Sequence, residues 1–171
     1  TFDVGDSSSE RDPLREVLKV LVEKGGKVVD SSPMYGSSEK VVGDLSMSLG
    51  LNEKLFVATK VWTSGLDEGI RQMNNSLSLK KRKKIDLMQI HNLVDWKTRL
   101  KTLHTWKDQG KIQYIGITHY TESAYPALEE VIKNHPLDFL QINYSILSRK
   151  AEERLFPLAQ EKKVGVIINQ P

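Results

Sequence analysis

Six short apolar runs alternate strictly with six amphipathic helical segments, and this predicts an α/β fold built on parallel strands. The expected architecture is part of a (β/α)8 TIM barrel, with about six of the eight βα units in one domain over residues 1–171. Two observations favour a barrel over an open doubly wound sheet. No G-x-G-x-x-G turn follows the first strand, as a nucleotide-binding open sheet would want. Ionisable residues also end successive strands: Asp30, Lys60 and His91 lie about thirty residues apart, the length of one βαβ unit. In a parallel barrel such strand ends converge on one mouth.

The elements follow in order. After a loop over the first dozen residues, Pro13 opens a helix with Asp12 as its cap. Leu14, Val17, Leu18 and Leu21 share one face, and Gly25-Gly26 ends it. Strand 27–30 stops at Asp30, and a Ser-Pro turn leads to Tyr35 and a helix over 38–48. Strand 54–60 ends at Lys60, a loop carries Trp62 and Gly65, and a helix over 67–79 places Ile70, Met73 and Leu77 together. Strand 85–91 ends at His91 and is followed by a helix over 97–109. Strand 111–117, helix 121–134, strand 137–142, helix 151–163 and strand 164–168 complete the alternation.

Composition narrows the function. Hydrophobic content of 39%, charged content of 27% and a net charge of +3 suit a globular domain long enough to bury a core. The run Lys80-Lys81-Arg82-Lys83-Lys84 reads as a solvated helix end, because cations favour a helix C-terminus. No aromatic residues interleave with it, so nucleic acid is not an expected partner. No stretch approaches the ~18 apolar residues of a membrane span, so a membrane is not expected either. With no cysteine, disulfides, thiolate metal sites and a cysteine nucleophile are excluded, and no metal is expected. A cytoplasmic location is the expectation, with a removed segment before Thr1 as the alternative.

Taken singly, Asp30 reads as a turn residue, Lys60 as a surface charge, Tyr35 as loop packing and His91 as a core histidine. Four such residues in three consecutive units, all at one end, read as an acid–base site. A phenol ionises near pH 10, and an adjacent ammonium lowers that value. Asp30 would hold Lys60 charged, and His91 would donate to a carbonyl oxygen. Hydride must then come from a nicotinamide cofactor, since no side chain supplies it.

The run Val28-Val29-Asp30-Ser31-Ser32-Pro33-Met34-Tyr35-Gly36-Ser37-Ser38-Glu39 resembles the signature of the aldo/keto reductase family. The resemblance continues through Phe56–Lys60, Ile85–His91, Ile115–Tyr120 and Gln141–Ser145, in family order and spacing. It implies reduction of an aldehyde or ketone by NADP(H), with Tyr35 as general acid, Lys60 and Asp30 lowering its pKa, and His91 orienting the carbonyl. Thr118 and His119 fall on the family's Ser-Asn pair for the nicotinamide carboxamide, His119 being a departure, and Gln141 on its carboxamide-binding glutamine. Asp30 and Gln170 are added to the cofactor set, and Trp62, Asn92 and Trp96 are candidate substrate contacts. The aromatic residue that stacks on nicotinamide would fall near Asn169 or Gln170, neither of which is aromatic.

By the same resemblance the chain holds strands two to seven. The segment around strand eight, which grips the adenosine phosphates, is missing, and the expectation is that this chain alone binds little NADPH. Two unpaired sheet edges would favour self-association. Two other readings are a nucleotide-binding regulatory barrel without catalysis and an aldolase using Lys60 as a Schiff-base amine.

Overall fold

A computed structural model describes residues 1–170. Six parallel strands pair strictly in chain order: β1 Val28–Asp30, β2 Phe56–Val61, β3 Ile85–His91, β4 Ile112–Thr118, β5 Phe139–Asn143 and β6 Gly165–Asn169. Six helices cross between them: α1 Ser8–Glu23, α2 Ser38–Ser48, α3 Leu66–Leu79, α4 Trp96–Asp108, α5 Tyr125–Asn134 and α6 Leu155–Glu161. The result is a curled half-barrel, and among the described residues β1 and β6 each pair along one edge only.

Strand alternation sorts the side chains into two faces. Val57, Val61, Met88, Ile90, Ile115, Ile117, Leu140 and Ile142 face outward and join the helices' Val41, Leu45, Met73, Leu103, Leu128 and Leu155 in one core. On the inner face the ladder aligns Ala58 with Leu87, Lys60 with Gln89, His91 with Thr118 and Thr118 with Gln141. Aromatic rings fill the inner face towards the strand starts: Phe56 stacks on Tyr114 at 6.0 Å, and Tyr114 meets Phe139 edge-on at 5.5 Å. The polar residues lie at the strand ends. Gly116 leaves room for this packing, since a Cβ there would stand 3.0 Å from Gln89 Cγ and 3.2 Å from Leu87 Cδ1.

Helix starts depart from the expected ones, and the prolines explain most of it. Only the first turn of a helix tolerates a missing N–H without losing a bond. Pro126 is therefore the second residue of α5 and Pro157 the third of α6, while residues 122–124 and 150–152 form separate 3-10 turns. Pro13 does not follow this rule. It sits inside α1, which begins at Ser8. The earlier start is held by Arg11, which donates to the Gly5 carbonyl at 2.8 Å and pairs with Asp44 at 3.1 Å.

The basic run is not simply solvated. Lys80 is 1% exposed, its ammonium has no partner among the described residues, and burial pushes its pKa down to about 8. Arg82 pairs with Asp86 at 3.1 Å and donates to the Asn52 carbonyl, tying the end of α3 to the start of β2. Lys81 pairs with Asp44 at 2.7 Å. Among the described residues no helix is long and apolar enough to cross a membrane.

The end of α6 shows a local cost. The amide of Val164 donates to the Ala159 carbonyl at 2.8 Å and that of Lys163 to Gln160 at 3.2 Å, the pattern of a Schellman cap. Lys163 must adopt a φ of +57° to make it, in the region that glycine prefers. Lys163→Gly is expected to raise stability by roughly 0.5–1 kcal/mol in urea unfolding. An unchanged or lower midpoint would show that the cap is not strained.

Candidate active site

The four expected acid–base residues meet at the strand ends. β1 delivers Asp30, β2 Lys60 and β3 His91, while the turn after β1 brings Tyr35 across the mouth. The Lys60 side chain is 2% exposed, and its ammonium donates to Asp30 Oδ2 at 2.6 Å and to the Ser31 carbonyl at 2.8 Å. It also lies 5.1 Å from the centre of the Tyr35 ring. The His91 ring meets Tyr35 edge-on at 6.2 Å. Asp30 accepts two further bonds, from Gln89 Nε2 to Oδ1 at 3.2 Å and from Gln141 Nε2 to Oδ2 at 3.1 Å. One carboxylate on β1 thus gathers groups from three other strands, β2, β3 and β5.

The electrostatics follow from burial. Desolvation lowers the Lys60 pKa, and the Asp30 carboxylate opposes that fall. His91 is pushed down to about 4, first by burial and then by the Lys60 charge, so it is neutral at pH 7. The Tyr35 phenol is raised, by burial and by Asp30, contrary to the lowering expected from Lys60. The reason is geometric. Lys60 gives its hydrogen bonds to Asp30 and the Ser31 carbonyl, and none joins it to the Tyr35 hydroxyl among the described residues, its ammonium lying 5.1 Å from the ring centre.

A cavity of about 350 Å3 opens above these groups, large enough for a small ligand. Asp30, Tyr35, Lys60, His91, Asn92, Thr118, His119, Gln141 and Gln170 all line it, together with Tyr120 and Asn169. Of the candidate substrate contacts, Asn92 alone does so. Trp62 stands 43% exposed outside the lining, where its backbone is bound by the Gln72 amide, and Trp96 packs partly buried against the core.

His119 has a fixed proton arrangement. Its Nδ1 accepts the backbone N–H groups of Tyr120 at 3.0 Å and Thr121 at 3.2 Å, which can only donate. Burial lowers its pKa, so the neutral ring carries its proton on Nε2. Asn169 adds a buried Oδ1 with no partner among the described residues. The segment after His91 is strained. Asn92, Leu93 and Asp95 all have φ near +50°, and the Val94 amide closes the turn on the His91 carbonyl at 3.1 Å.

Sequence reasoning missed Ser31, Ser32, Gln89 and Tyr120. Gln89 carried a signal: a lone amide two residues before His91 in an apolar strand must share its face. Ser31 acts through its carbonyl, which no side-chain pattern reveals.

A parallel half-barrel thus carries a Tyr–Lys–Asp–His set at its strand ends. The chain belongs to the aldo/keto reductase family, whose model matches residues 1–171. It is 25% identical over 168 residues to the aldo-keto reductase YhdN of Bacillus subtilis, covering 90% of this chain and 50% of that protein. It is 27% identical over 177 residues to the methylglyoxal reductase YeaE of Escherichia coli, covering 100% of this chain and 62% of the relative. A solved aldo-keto reductase from Klebsiella pneumoniae in complex with NADPH superposes with a TM-score of 0.84 at 22% identity, covering 100% of this chain and 62% of that one. This last likeness speaks to the fold. The chain spans about half to three-fifths of the length of these proteins.

The depressed His91 pKa gives a signed prediction. An unfolded histidine takes up a proton near pH 6.5 and the folded one near 4, so the folded state binds fewer protons in between. The contribution of His91 to stability is full above pH 6.5 and is lost as the pH falls towards 4. Urea unfolding between pH 7 and 4.5 is therefore expected to show a steeper loss for the wild type than for His91→Asn. Parallel losses would contradict a buried neutral imidazole.

Proposed function

We propose that this mouth is the acid–base half of an NADP(H)-dependent carbonyl reductase, which converts a small aldehyde or ketone to the alcohol. The observation that carries the reading is the buried Lys60–Asp30 pair beneath Tyr35, with neutral His91 facing the same cavity. When bound there, a reduced nicotinamide supplies the hydride that no side chain can. The donor set suits its carboxamide. His119 offers an N–H and Asn169 an unpaired carbonyl oxygen, with Thr118, Gln141 and Gln170 around the same cavity. His119 thus keeps the hydrogen-bond donor that the family's asparagine provides.

Tyr35 donates its phenolic proton to the carbonyl oxygen as the alcohol forms, and its raised pKa keeps that proton in place at neutral pH. Neutral His91 donates an N–H to the same oxygen, which holds the carbonyl against Tyr35. Lys60 supplies positive charge under the ring as the phenolate develops, and Asp30 keeps it protonated. Asn92 bounds the substrate side of the cavity. A Schiff-base role for Lys60 gains no support, because its Nζ is enclosed between Asp30 and the Ser31 carbonyl.

The name of the Escherichia coli relative makes methylglyoxal the first substrate to try. NADPH oxidation by a protein in which these residues stand in a complete barrel, followed with a panel of small aldehydes and ketones, is expected to require Tyr35. Tyr35→Phe should lower kcat by about 10²–10⁴-fold, the usual worth of a general acid, with KM little changed. A variant that retained full kcat would remove Tyr35 from the proton-transfer role.

A further inference from the structure

The turn that carries Tyr35 also carries a residue with no assigned part. Ser32 follows Asp30 by two positions, is 0% exposed, and its hydroxyl lies 3.2 Å from His91 Nδ1. The same oxygen accepts the backbone N–H of Met34 at 3.3 Å. A hydroxyl has one proton to give. The Met34 amide can only donate, so it occupies a lone pair and leaves the proton of Ser32 in need of an acceptor. Among the described residues His91 Nδ1 is the acceptor within reach.

We propose that Ser32 is a positioning residue that fixes His91 in the Nε2–H tautomer, by donating its hydroxyl proton to Nδ1 and so leaving Nε2–H to meet the substrate carbonyl. The opposite arrangement would put the proton on Nδ1 and strand a serine hydroxyl proton in a fully buried site, which is costly. It would also leave Nε2 as a lone pair, unable to donate to a carbonyl oxygen. A neutral ring is required for the choice to exist, and burial together with the Lys60 charge provides it. The two histidines of the cavity are then held alike: backbone amides set His119, and a side-chain hydroxyl sets His91.

The consequence for catalysis rests on the carbonyl-reductase reading, but the tautomer can be measured without turnover. Histidine-labelled protein would be studied by long-range 1H–15N correlation, with the His91 signals assigned by their loss in His91→Asn. The wild type is expected to show protonated Nε2 and lone-pair Nδ1. Ser32→Ala should shift the tautomer ratio towards Nδ1–H by roughly three- to tenfold, the worth of one hydrogen bond. Ser32→Thr, which restores a hydroxyl, should return it. A wild-type spectrum with the proton on Nδ1 would overturn the inference, and that result does not depend on any variant folding. A ratio unchanged in Ser32→Ala would also overturn it. If the tautomer behaves as expected while no carbonyl is reduced, the proposed function fails and the Ser32–His91 relation stands.

Discussion

The burial of Lys60 against Asp30 is the constraint on which the rest of the mouth depends. Taking an ammonium out of water costs several kcal/mol, and removing one partner of a buried pair costs about 3–5 kcal/mol. Asp30 is what makes this burial tolerable, at 2.6 Å, and the Ser31 carbonyl accepts a second Lys60 proton. The carboxylate in turn needs its remaining lone pairs satisfied, and Gln89 and Gln141 do that from two further strands. The ion pair therefore fixes more than a charge: it draws the ends of β1, β2, β3 and β5 together at one point. Tyr35 and His91 close over it, and their electrostatics follow from it. His91 loses its proton partly because Lys60 keeps one, and Tyr35 keeps its proton partly because Asp30 is negative.

This arrangement depends on register. Parallel pairing places Lys60 beside Gln89 and His91 beside Thr118, and a slip of one residue would turn each inner side chain outward. Apolar contacts on the outer face resist that slip, because Val57, Val61, Met88 and Ile90 are all nearly fully buried there. Glu39 adds a polar anchor behind the site: it accepts from Thr59 on β2 at 2.6 Å and from Ser76 on α3 at 3.1 Å. Since α2 begins directly after the turn that bears Tyr35, this anchor also locates Tyr35.

Much of this was legible in the sequence, because parallel strands buried on both faces write apolar runs and a barrel mouth writes polar residues at their ends. β3 and α2 match their expected bounds for that reason. Asp30, Tyr35, Lys60 and His91 were legible by spacing alone. Other features depend on contacts between residues far apart in the chain. Lys80 looked solvated in a row of five basic residues, yet the fold buries it. Trp62 followed a site strand but does not line the cavity. The Tyr35 phenol is raised by its burial and by Asp30, and how far the fold buries a loop tyrosine is not written in its spacing. Ser32 gave no signal of its own, since its partner lies 59 residues away.

The most direct test of the central pair is the titration of the Lys60 side chain, followed by 13Cε and 15Nζ signals in the wild type and in Asp30→Asn. Burial lowers this pKa and Asp30 raises it, so removing the carboxylate's charge leaves the burial unopposed. The predicted result is a Lys60 that is charged at pH 7 in the wild type and titrates at lower pH in Asp30→Asn. A Lys60 titration that is the same in both proteins would contradict the account, since it would mean that Asp30 does not hold the charge around which the mouth is built.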